Sequence, residues 1–80
     1  MARSVKSLFQ LETAARDALA GRGVLHVSTS TFGYGEAVIH STLGPMAAHQ
    51  IAATIPGFRL IDTYRTESGA ASRGYMTGAS

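Results

Sequence analysis

The sequence contains no cysteine and no asparagine. The first absence excludes disulfides and thiolate metal sites, and the second removes any N-glycosylation sequon. Both fit a cytoplasmic protein, which is the expected location. Acidic residues are scarce, five against seven lysines and arginines, so the formal charge of +2 reflects few acids rather than a basic cluster. The cations at Arg3, Lys6, Arg16, Arg22, Arg59, Arg65 and Arg73 are spread along the chain, whereas nucleic-acid modules gather them on one face. Long apolar runs are also missing. Arg3 and Lys6 precede Leu8 and Phe9 as in a targeting signal, but Gln10, Glu12, Arg16 and Asp17 then break the apolar stretch. Nothing approaches the roughly 18 apolar residues of a membrane span, so no membrane association is expected.

What is present is one small domain over residues 1–80. A chain of this size buries only about 60% of its unfolded surface, so its core is thin. A homodimer or a bound partner is therefore the expected way to bury more.

Val5, Leu8, Leu11, Ala15, Ala18 and Leu19 recur at helical spacing and predict a helix over Ser4–Ala20. Ser4 or Ser7 caps it, and Gly21 and Gly23 end it. Two β-branched segments, Val24–Thr31 and Glu36–Thr42, flank Phe32-Gly33-Tyr34-Gly35 and predict a hairpin. A three-residue turn at Gly33–Gly35 sets Val27 opposite Ser41. It gathers Leu25, Val27, Ile39 and Leu43 on one face and His26, Ser28, Ser30, Val38 and His40 on the other.

Gly44-Pro45 opens a second helix with Ser41 or Thr42 as caps, and Pro56-Gly57 closes it. Phe58–Thr66 reads as a third strand, Glu67–Ala71 as a turn and Ser72–Met76 as a fourth strand. In the third strand Phe58, Leu60 and Tyr64 alternate with Arg59, Thr63 and Arg65, and Ile61 breaks the alternation by falling on the polar side. The expected fold is α+β in αββαββ order, an antiparallel sheet of three to four strands with two helices packed on one face. An offset of 34 residues aligns Ala14 with Ala48, Ala18 with Ala52, Gly23 with Gly57 and Ala37 with Ala71, which suggests a duplicated αββ unit.

Candidate chemistry is sparse. His26 and His40 fall diagonally on one hairpin face, roughly 7 Å apart at the backbone, beside Ser28 and Ser30. Two imidazoles suit a metal and a histidine suits activation of a serine, but a third partner is missing for either. No catalytic residue, metal or cofactor is expected. Asp62 calls for Arg59 or Arg65 as its partner. Ser41, Thr42 and Gly44, leading into a helix start, form a weak anion-binding candidate. Phe32 and Tyr34 on the hairpin tip, with Arg59, Arg65, Arg73 and Tyr75, make the candidate partner-binding set.

The expected function is a non-enzymatic binding protein that docks on or masks a protein partner, in the manner of inhibitors carried by phages and mobile elements. The alternative is nucleic-acid or nucleotide binding through the same arginines and aromatics.

Overall fold

The computed structural model describes residues 7–19, 23–29 and 35–77. Two helices and a four-stranded antiparallel sheet form an α+β fold. In chain order the elements are α1 (Leu8–Ala18), β1 (Val24–Thr29), β2 (Glu36–Ser41), α2 (Pro45–Ala52), β3 (Phe58–Arg65) and β4 (Ala70–Met76). The sheet runs β1-β2-β4-β3, so β1 and β3 are its edges.

Helix α1 starts where Ser7 Oγ accepts the backbone N–H of Gln10 at 3.2 Å, satisfying one of the helix's unpaired first-turn donors. Leu11 and Ala15, one turn apart, are fully buried, and Glu12 pairs with Arg16 along the outer side. The α2 cap differs from expectation. Gly44 occupies the N-cap without a side-chain bond, and the helix begins directly at Pro45, whose fixed φ suits that position. Ser41 and Thr42 lie too early to cap it.

One core cluster joins Leu11 and Ala15 of α1 and Ala52 of α2 to Ala37, Ile39 and Phe58 of the sheet, with Ile55 between. The small residues are a matter of distance: alanines on both helices and on β2 bring the layers close. Close approach also explains Gly74. A Cβ there would meet the Arg59 carbonyl oxygen and lie 2.7 Å from Phe58 Cζ. At Gly69, in the β3–β4 turn, a Cβ would collide with the backbone of Ser41 and Thr42, and its φ of +155° suits glycine alone.

The first hairpin departs from the expected register by two residues. His26 pairs with His40, Val27 with Ile39 and Thr29 with Ala37, with an irregularity between Val24 and His26. Side chains alternate with period two, so a shift of two keeps Val27 and Ile39 inward while changing every partner. In β3 the pairing skips Ile61, between Leu60↔Gly74 and Asp62↔Arg73. This bulge accounts for its broken alternation, and bulges on edge strands discourage further pairing.

The 34-residue offset is only partly structural. Gly23 and Gly57 correspond, with φ of 79° and 81°. Each offers its carbonyl beyond the returning strand, to the N–H of Thr42 at 2.7 Å and of Thr77 at 2.9 Å. Ala37 and Ala71, however, fall on opposite faces, because Ala37 pairs with Gly74 and Ala71 with His40. Ala18 is exposed whereas Ala52 is buried. The topology repeats; the side-chain register does not.

Candidate functional site

Register places three cross-strand rows on the sheet face away from the core cluster. One runs His26, His40, Ala71, Tyr64; the next Ser28, Val38, Arg73, Asp62; the third Glu36, Tyr75, Arg59. Ile61, skipped by the pairing, precedes Asp62 of the middle row. Ile61, Tyr64 and Tyr75 are 43%, 49% and 42% exposed, large apolar groups left in water. Tyr64 escaped notice in the sequence because it fitted a strand alternation that made it a core residue.

Arg73 is the centre of the middle row. It lies 3.6 Å from Glu36 on β2 and 3.2 Å from Asp62 on β3, so one guanidinium ties three strands together. The expected partner of Asp62 was Arg59 or Arg65. The bulge instead aligns Asp62 with Arg73, the residue directly across the strand pair. Glu36 is buried at 2% exposure and Asp62 lies half in water, so the two ion pairs differ in kind. The pair with Glu36 is shielded from water on its carboxylate side and has consequences for folding; the pair with Asp62 is solvent-screened.

The two histidines meet more closely than the sequence suggested. Their rings stack with centroids 4.2 Å apart and planes 15° from parallel. His40 Nε2 also lies 2.9 Å from Ser28 Oγ. Burial, and secondarily the neighbouring His26, hold the His40 pKa below the usual imidazole value. His40 is thus neutral at physiological pH. Among the described residues no cluster of three or more histidines and carboxylates has metal-binding geometry.

The remaining candidates scatter. Arg59, Arg73 and Tyr75 share the outer face, whereas Arg65 pairs with Ala70 on the opposite parity, at the far end of β3. Arg73 is engaged by two carboxylates, so the expected basic strip is interrupted at its centre. Phe32 and Tyr34 lie outside the described residues. Ser41, Thr42 and Gly44 do not converge. Ser41 is buried and its Oγ has no side-chain or backbone partner among the described residues, while the Thr42 N–H bonds Gly23. Ser41 instead borders a cavity of about 10 Å³ with Leu19, Ile39, Ala48 and Ser72, close to the space one water needs.

His49, expected on the surface of α2, is exposed but bonded. Its Nδ1 lies 3.0 Å from Thr63 Oγ1, which lies 3.1 Å from Ser72 Oγ. This polar chain ties α2 to β3 and β4 and has the form of a structural anchor. Among the described residues no helix is long and apolar enough to cross a membrane. No protein-family model, curated protein or solved structure matches the chain.

Proposed function

We propose that this chain is a binding protein that docks a protein partner on the outer face of its sheet. The observation that carries this reading is the exposure of Ile61, Tyr64 and Tyr75 around a fully formed ion-pair network. Leu11, Ala15 and Ala52 belong to the same core as Ala37, Ile39 and Phe58, from which we infer that both helices share the inner face. The outer face is then rigid, because Arg73 crosslinks its strands, and it is partly apolar. Rigid tyrosines give large contact area at low entropic cost, which is why they are enriched at protein interfaces.

Charge separates this reading from nucleic-acid binding. On the outer face Glu36 and Asp62 cancel Arg59 and Arg73. A surface that gathers phosphates needs an excess of cations, since counterion release supplies most of the affinity. The neutral face favours a protein. A benzophenone side chain at position 64 tests the proposal, with the same group at position 50 on α2 as the reference. Protein adducts from position 64 and none from position 50 support docking on this face. Equal adducts from both, or tight low-salt binding of an oligonucleotide without protein adducts, would overturn it.

A further inference from the structure

We propose that two copies of this chain join through their β1 strands, antiparallel across a two-fold axis at Val27, so that each sheet continues into the other. The two edges of the sheet are guarded differently. Edge β3 carries Arg59, Asp62 and Arg65 and is interrupted at mid-strand by the bulge at Ile61. Charge and bulges are the devices that stop an edge from recruiting another strand. Edge β1, Val24–Thr29, contains no lysine, arginine, aspartate, glutamate or proline. Its irregularity lies at its start, between Val24 and His26, and pairing from His26 to Thr29 is regular. The hydrogen-bonding frame shows what this edge offers. The Thr42 N–H bonds the Gly23 carbonyl at 2.7 Å, and the Met76 N–H bonds the Gly35 carbonyl at 2.7 Å. Main-chain groups alternate in direction along a strand, so even-numbered residues of β2 turn theirs toward β1 and odd-numbered ones toward β4. His26 and Ser28, opposite His40 and Val38, therefore bond within the sheet, and the N–H and C=O of Val27 point outward from the edge.

The strand's match to itself identifies a second copy as the occupant. With the axis at Val27, this residue exchanges both main-chain bonds with the partner's Val27. The two β-branched side chains then meet on the inner side, where Val27 packs against the core cluster. On the outer face the exposed His26 falls opposite the partner's Ser28, and by symmetry Ser28 falls opposite the partner's His26. Imidazole and hydroxyl each donate and accept hydrogen bonds, and no like charges are opposed. Strand β3 has no such match. Centred on Asp62, it would set that carboxylate against itself and Arg59 against the partner's Arg65. One open edge and one guarded edge give an isologous contact that closes at two copies. The shared sheet also adds burial to a chain of a size that buries little on its own. Because the junction lies in the plane of the sheet, it leaves the outer face open, and it stands apart from what docks there.

Sedimentation equilibrium of the full chain tests this, together with amide hydrogen exchange followed by NMR at low and high chain concentration. The expected result is a reversible monomer–dimer equilibrium. Exchange of the Val27 amide slows as the dimer forms, while that of the Leu60 amide on β3 does not change. Ser28→Lys places two ammonium groups diagonally across the axis, about 7–8 Å apart at the backbone, and weakens the dimer about tenfold or more. Gln50→Lys adds the same charge on α2 and leaves the dimer unchanged. Circular dichroism separates loss of the contact from loss of the fold, and exchange in the wild-type chain decides the matter if Ser28→Lys does not fold. A chain that stays monomeric at every concentration, or a dimer that forms without slowing exchange at Val27, would overturn the proposal. So would growth beyond two copies, or a dimer as tight in folded Ser28→Lys as in the wild type.

Discussion

The two faces of the sheet are built from different materials. Inward, Ala37, Ile39 and Phe58 share one core cluster with Leu11, Ala15 and Ala52 of the helices, and Gly74 lets β3 approach where a Cβ would strike Arg59 and Phe58. Outward, the same strands carry a stacked imidazole pair, a three-strand ion network and half-exposed tyrosines. Adjacent residues on one strand therefore answer to separate constraints. Ala37 and Ile39 hold the core, and Glu36, Val38 and His40 between them shape a surface. Substitutions inward should unfold the protein, whereas those outward should alter what it binds.

The largest effect is expected from Leu11→Ala, which empties the centre of the core. It should cost about 2–5 kcal/mol, read by chemical denaturation. Arg73→Ala tests whether the outer face also carries folding energy. It removes the cation beside the buried Glu36 carboxylate and should cost about 3 kcal/mol, the low end for a buried pair because Arg73 keeps some solvent contact. Asp62→Ala breaks only the half-exposed pair and should cost less than about 1 kcal/mol. A larger loss for Asp62 than for Arg73 would reverse the assignment of the two pairs.

Smaller still is the effect of pH. Folded His40 holds a proton less readily than the unfolded chain, so the unfolded state binds more protons as pH falls. Stability should be complete above the unfolded imidazole pKa, about 6.5. It should decline as pH drops through the lower folded value, and His40→Gln should flatten that part of the curve. Stability that rose on acidification over this range would contradict a depressed His40.

Much of the fold was legible in the sequence because it rests on local rules. Helix periodicity located Leu11 and Ala15, and Pro45 began α2, which stops at Ala52, before the Pro56-Gly57 pair expected to close it. The face assignment held for Val27 and Ile39 on one side and for His26, Ser28, Val38 and His40 on the other, since parity depends only on side-chain alternation, whereas Leu25 fell into the irregularity between Val24 and His26 and Leu43 lies outside the strands. Partners were less legible. Which residue sits opposite which depends on loop length and bulges, and neither follows from hydrophobic pattern. That is why His26 and His40 became a stacked pair and why Asp62 found Arg73. The apparent 34-residue repeat misled for a related reason. A composition rich in alanine and glycine matches itself wherever elements have similar lengths, while the bulge and the return strand shift the register beneath it. Tyr64 was hidden because an aromatic in a strand looks alike inward or outward until the core is located.

The central claim is that the outer face, and not the helical side, meets a protein partner. Affinity capture with the tagged full chain compares Tyr64→Ser with Tyr75→Ser on the sheet against Phe9→Ser with Met46→Ser, the exposed apolar residues of the helices. The account predicts that proteins enriched by the wild type are lost by the tyrosine double variant and retained by the helical one, with both variants folded. Retention by the tyrosine variant, or loss only in the helical variant, would contradict it.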